Sequence, residues 1–323
     1  DGKRIEAKYQ AFLNLDLGLP YTAAEEEQLA SGNDLQANSR PYSIGIIPEA
    51  LSIADGNGKI VLLTLAADMN GTEHDARVDW ELLAHSENLS TYSVMHGSIG
   101  TFIRKENQLK HKEDRERWSY QHGQQNCVWD ELEKILGNTW MADNGRKMKI
   151  SAAAYDSGQF TMHVYAAMDR SNHRIVCMKG AREEDYQAVS RDLPIFRPAK
   201  ERAGLYILET GRIKDRLAEY MRLKNNHETQ PENFMNFPEA SNGLYGYKNY
   251  YCHFEAEHRM KSEDRNGAIK LRWTKKTSTA QNHFWDVRVY GLALREIVIK
   301  MIAKDLKDQV FDWEKYCALV TGR

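Results

Sequence analysis

KIVLLTLAAD, residues 59–68, and KMKISAAAYD, residues 147–156, follow one pattern: an apolar run of strand length that ends in a carboxylate, Asp68 or Asp156. A continuous apolar run of this length reads as a strand buried on both faces. If two such strands lie side by side, their terminal carboxylates emerge together at one edge of a sheet, because neighbouring strands sit about 4.8 Å apart.

The flanking sequence supplies the rest of that sheet. After the first strand, Ala76, Val78, Trp80 and Leu82 alternate with Arg77, Asp79 and Glu81, the period-two pattern of a half-buried strand. A third strand is expected at about Ser90–Gly97 and a helix at about Asn126–Leu136. After the second carboxylate strand, Phe160, Val164, Ala167 and Met168 share one helical face, and RIVCMKG (174–180) gives a further short buried strand through Arg174–Met178. That strand–helix–strand order implies a parallel, right-handed crossover. GLYILE (204–209) and AIKLRWTKK (268–276) are further strands, with a helix at 211–223 between them. A long helix is expected from near Asp286, with Trp285, Val289, Leu292, Ile299, Ile302 and Leu306 on one stripe, and DWEKYCALV (312–320) reads as a last short helix. The expected class is therefore α/β: a mixed sheet flanked by helices, its first three strands antiparallel and its later ones parallel.

Asp286, at the start of that packed helix, is placed to join Asp68 and Asp156 as a third carboxylate. Hard cations such as Mg²⁺ or Mn²⁺ take oxygen ligands and keep several waters, so convergent carboxylates suffice without histidine or thiolate. Two such ions about 3.5–4 Å apart activate water and stabilise the leaving oxygen of a phosphodiester. The plainer alternative stays open. An Asp after a strand is often a turn or cap residue, and Asp286 is also a favourable charge near a helix N-terminus.

Bulk composition narrows the class. With 41% hydrophobic and 28% charged residues in 323, the chain is an ordinary folded protein, and no window approaches the roughly 18 apolar residues needed to span a bilayer. The first residues, DGKRIEAKYQAF, lack the features of a secretory signal, and Asp1 in place of Met reads as a fragment. Cys127, Cys177, Cys252 and Cys317 form no CxxC pair, which fits a reducing cytosol better than a zinc ribbon or a disulfide framework. The net charge of -2 supplies no global positive field, so any DNA-binding surface must be local.

AAAYDSGQFTMHVY (152–165) resembles the stretch after the fourth strand in the nuclease of lambda-like phage terminase large subunits. YQAFLNLDLGLPY (9–21), IIPEALSI (46–53) and VLLTLAADMNG (61–71) look like that family's linker helix and first nuclease strand, in the same order. RIVCMKGA (174–181), LYILETGRIKDRL (205–217), NFMNFPE (233–239) and HFWDVRVYGLAL (283–294) look like its later landmarks, so the resemblance covers nearly the whole chain. It implies an RNase H-like nuclease domain at 56–310, between a lead-in or linker segment at 1–55 and a C-terminal tail at 311–323. It also implies an endonuclease that cuts double-stranded concatemeric DNA during packaging in the host cell cytoplasm, with a terminase small subunit and a portal protein as partners. Asp68, Asp156 and Asp286 are then the ligands of two Mg²⁺ or Mn²⁺ ions. Lys179 and Lys214 become candidates for phosphate contact, and Lys275 and Lys276, ahead of the loop to Asp286, are further candidates. One departure from the complete family is the missing GxxxxGK[ST]: GNGKI (56–60) fails that pattern, so the packaging ATPase is expected to be absent from this chain. The alternatives are a non-catalytic module that docks on DNA or portal, and another RNase H-like enzyme such as a Holliday-junction resolvase or a transposase.

Other motifs carry less. His253 and His258 in HFEAEHR fail HExxH and read as surface histidines. Tyr245, Tyr247, Tyr250 and Tyr251 beside Phe254 read as a packed cluster rather than a base-stacking platform, and the mixed-charge stretch 104–118 reads as a solvated surface.

Overall fold

A computed structural model of the chain describes residues 31–181, 194–225, 230–239, 243–263 and 269–323. In chain order these form helix α1 (Gly32–Gln36), strands β1 (Ser39–Arg40) and β2 (Ile46–Ile47), helix α2 (Glu49–Ala54), and strands β3 (Ile60–Gly71), β4 (Ala76–Ser86) and β5 (Thr91–Gly100). Helices α3 (Lys105–Gln108) and α4 (Val128–Gly137) follow, then β6 (Thr139–Ala142), β7 (Lys147–Lys149) and β8 (Ala152–Asp156). Next come α5 (Thr161–Arg170), β9 (Ile175–Gly180), β10 (Phe196–Pro198), β11 (Leu205–Leu208), α6 (Thr210–Met221) and β12 (Met235–Pro238). A hairpin of β13 (Glu257–Glu263) and β14 (Ile269–Lys275) precedes α7 (His283–Leu306) and α8 (Trp313–Thr321).

The main sheet has the order β1-β12-β5-β4-β3-β8-β9-β11-β10. Strands β3, β4 and β5 form an antiparallel meander, while β3–β8, β8–β9 and β9–β11 pair in parallel. This is the RNase H-like arrangement, a mixed sheet with its first and fourth long strands adjacent. KMKISAAAYD does not form one strand. Its first part, β7, pairs with β6 in a small separate sheet, and only Ala152–Asp156 enters the main one. Of the two outer segments, Ser39–Arg40 extends the sheet edge beside β12, and α8 hydrogen-bonds through the Tyr316 hydroxyl to the Val61 carbonyl at 3.1 Å.

Alternation along the strands sorts side chains into two cores. Leu63, Leu65, Ala67, Ala153, Tyr155, Ile175 and Cys177 face α4 and α5, while Leu62, Ala66, Ala152, Ala154, Val176 and Met178 face α6 and α7. The even-numbered set of β3 and β8 therefore continues to Asp68 and Asp156, on the α7 side. Helix α7 is buried on more than the stripe expected of it, including Arg288 and Arg295, because it lies against β3, β4 and β8 with α6 alongside. Leu306, expected on that stripe, is exposed near the far end of the helix. Gly291 permits the close approach. A Cβ there would meet Leu83 Cδ1 at 2.7 Å, so the helix tolerates a residue that ordinarily costs about 1 kcal/mol in a helix interior.

This packing overturns one expectation. Asp79 and Glu81 were read as the solvent side of a half-buried strand, yet both are fully buried beneath α7. The apolar alternates Val78, Trp80 and Leu82 point to the other core, so β4 is covered on both faces. Glu81 is matched there by Arg288, whose Nε and Nη2 donate to its two oxygens at 2.7 and 2.8 Å, and by the hydroxyls of Ser93 and Tyr250.

Candidate active site

Asp68 and Asp156 occupy matching positions on adjacent parallel strands, one residue beyond the paired Ala67 and Tyr155. Asp286 lies in the first turn of α7, which packs over that end of the sheet. The three carboxylates are close enough to repel one another. Burial first, then the Asp68 charge, raises Asp156 to about 7. Asp286 rises to about 6, pushed up mainly by burial and also by Asp68 and Glu257, against the lowering effect of Lys214.

Their present partners are specific. Asp68 Oδ2 accepts from Asn70 Nδ2 at 2.6 Å and lies 3.0 Å from His283 Nδ1. Asp156 Oδ1 accepts from the Gly158 backbone N–H at 2.9 Å, and the Tyr290 hydroxyl also bonds this carboxylate. Asp286 Oδ1 pairs with Lys214 Nζ at 3.0 Å, and its Oδ2 accepts from Asn282 Nδ2 at 2.7 Å. Among the described residues, no three His, Cys, Asp or Glu side chains stand as a ready-made metal-binding group. The donor chemistry nevertheless fits hard cations. The set is all carboxylate, it is partly uncompensated, and each carboxylate offers about four acceptor positions, of which hydrogen bonds occupy only some. Clustered carboxylates whose pKa values rise together are relieved when a cation arrives.

Sequence reading missed several residues here. His283 bridges toward Asp68 and also lies 4.0 Å from Asp79 Oδ2, whose charge is matched by a two-pronged contact from Arg77 at 2.8 and 3.0 Å. The Tyr290 phenol, held far above its ordinary pKa by burial and then by Asp156, Asp286 and Asp68, sits among all three aspartates. Both residues were within reach of a helical-spacing argument, three before and four after Asp286. His253, read as a surface histidine, is buried and accepts from the Phe284 N–H at 3.3 Å, and burial drives its pKa to about 4.

The candidate lysines separate. Lys275 and Lys276 are exposed at the end of the β13–β14 hairpin, and the Lys275 charge is felt at His253. Lys179 shares its side of β9 with Ile175 and Cys177, so it leaves the sheet on the face opposite the aspartates. Lys214 is mostly buried, paired with Asp286 and with Glu257. Tyr245, Tyr250 and Tyr251 are buried and packed together, with Tyr250 and Tyr251 also packed on Phe237.

The raised pKa of Asp156 carries a stability consequence for the metal-free protein. A carboxylate whose folded pKa lies above its unfolded value of 3.8 favours folding when protonated, so its contribution is full below about pH 4 and is lost as pH rises through about 7. Asp156→Asn removes that penalty and should stabilise the metal-free protein at pH 8 by up to about 4 kcal/mol, with the gain vanishing near pH 4. Urea unfolding at the two pH values in a chelator checks this, and an equal effect at both would contradict it.

Residues 3–304 match the family described as terminase large subunit gpA, endonuclease domain. Among solved structures the HK97 bacteriophage large terminase matches, with a TM-score of 0.37, 11% identity, and coverage of 78% of this chain and 43% of that one. The chain therefore spans less than half the length of that terminase. No curated protein matches.

Proposed function

Because the chain belongs to the terminase large subunit gpA endonuclease-domain family, we propose that it hydrolyses both strands of concatemeric viral DNA during genome packaging, using two Mg²⁺ or Mn²⁺ ions held by Asp68, Asp156 and Asp286. The observation that carries this reading is the meeting of three carboxylates from β3, β8 and α7 where the pairing of two central strands ends, and where burial and mutual repulsion raise two of them. When bound, the ions supply charge stabilisation at the scissile phosphate and an activated water. Asp68, with Asp156 beside it across the sheet, would be the carboxylate common to the ions, and Asp156 and Asp286 would each help hold one.

The surrounding side chains keep these ligands in place. Asn70 and His283 fix the Asp68 carboxylate, and the Tyr290 hydroxyl and Gly158 N–H hold Asp156. Duplex DNA would approach along the hairpin end, where Lys275 and Lys276 are free to meet phosphates. Lys179 is a weaker choice because it faces the other side. A terminase small subunit and a portal protein are the proposed partners, and the host cytoplasm the proposed setting. Among the described residues, no helix is long and apolar enough to cross a membrane.

A plasmid assay tests the reading. Supercoiled and linear duplex should be cut with Mn²⁺ and left intact with EDTA, with little preference for sequence. Absence of cleavage with every divalent ion would favour a docking module, and a strong preference for four-way junctions would favour a resolvase.

A further inference from the structure

We propose that Lys214 is a positioning residue that acts through Asp286 and not on the DNA backbone, an inference that rests on the reading of Asp286 as a metal-holding carboxylate. An ammonium group has three hydrogens to donate. In this protein they meet Asp286 Oδ1 at 3.0 Å and Glu257 Oε1 and Oε2 at 2.9 and 2.8 Å. None remains for a phosphate. The Asn282 amide likewise spends both hydrogens, on Glu257 Oε1 at 2.6 Å and Asp286 Oδ2 at 2.7 Å.

The result is a closed ring, Asp286–Lys214–Glu257–Asn282, in which each oxygen of Asp286 is held by one of its neighbours in the ring. Each oxygen still has acceptor capacity for a further partner. The ring joins α6, the foot of the β13–β14 hairpin and the start of α7. Lys214 and Glu257 side chains are only 12% and 6% exposed, too enclosed for a lysine that greets a duplex. Arg259 and Trp273 of the hairpin both bond Asp215, the neighbour of Lys214, at 3.0 and 2.9 Å, which ties the hairpin to α6.

Supporting partners of metal ligands typically change metal affinity by about 10–100-fold when removed. Lys214→Met should therefore weaken Mn²⁺ binding, measured by calorimetry, about tenfold or more, and lower kcat to a similar degree. The KM for DNA and its dependence on salt should stay within about twofold, because no phosphate contact is lost. Asn282→Ala, which keeps all three charged side chains of the ring, should weaken Mn²⁺ binding in the same direction and serves as the test if Lys214→Met does not fold. Unchanged Mn²⁺ affinity in either folded variant overturns the proposal, as does a raised KM with a shallower salt slope at constant kcat. Failure of the wild-type protein to bind Mn²⁺ would instead bring down the reading of the site, and this inference with it.

Discussion

Asp68→Asn is expected to reduce Mn²⁺-dependent plasmid cleavage by at least about a thousandfold, equivalent to roughly 4 kcal/mol of barrier. Two features set that size. Asp68 lies beside Asp156 across the sheet and is felt by Asp286, so its charge is the one shared by the whole trio. The substitution also leaves the fold intact, because an amide oxygen can still accept a bond from Asn70 and the residue keeps its place in the β3–β4 register opposite Asp79. Initial cleavage rates and thermal melting on the same preparation decide the matter. Wild-type rates from a variant free of contaminating nuclease would remove Asp68 from the mechanism.

The largest stability effect is expected in the second turn of α7. Arg288→Met should destabilise the protein by about 3–5 kcal/mol, the usual cost of leaving one member of a buried ion pair alone. Arg288 donates twice to Glu81, lies over the Phe237 ring at 5.0 Å, and lies within reach of the Tyr250 hydroxyl at 3.2 Å. With the guanidinium gone, Glu81 keeps only hydroxyl partners in a site with no solvent access. The double variant Glu81→Leu with Arg288→Met should lose much less than the sum of the two singles, since it deletes both charges together. Urea titration of the four proteins measures the coupling, and a single-variant loss below about 1 kcal/mol would show that the pair is not the anchor described.

What could be read from the sequence was what rests on local pattern. Apolar runs ending at Asp68 and Asp156 identified two central strands, and the strand–helix–strand order indicated the parallel pairing of β8 with β9, whereas the adjacency of β3 and β8 entered only as a condition. Asp286 was accessible because helix starts are marked by composition. What stayed hidden depends on which surfaces meet. The alternation of Arg77, Asp79 and Glu81 looks the same whether that face meets water or a helix, and what tells the cases apart is Arg288 and His283 of α7, which face Glu81 and Asp79. Lys214 offered no local sign of burial, because its three acceptors come from α7 and the hairpin foot, 72 and 43 residues away. The separate fate of Lys147–Lys149 also required knowing that β6 would claim it.

The helix bearing Asp286 and His283 is also the plug of the principal core, and within two turns it carries Arg288 on a carboxylate in the sheet. The reactive corner is thus cast in the same piece as the keystone of the domain. Loosening that corner by melting α7 would forfeit the whole architecture. On the proposed reading, control of cleavage would work by covering that end of the sheet or by moving what leans on it, and not by melting α7.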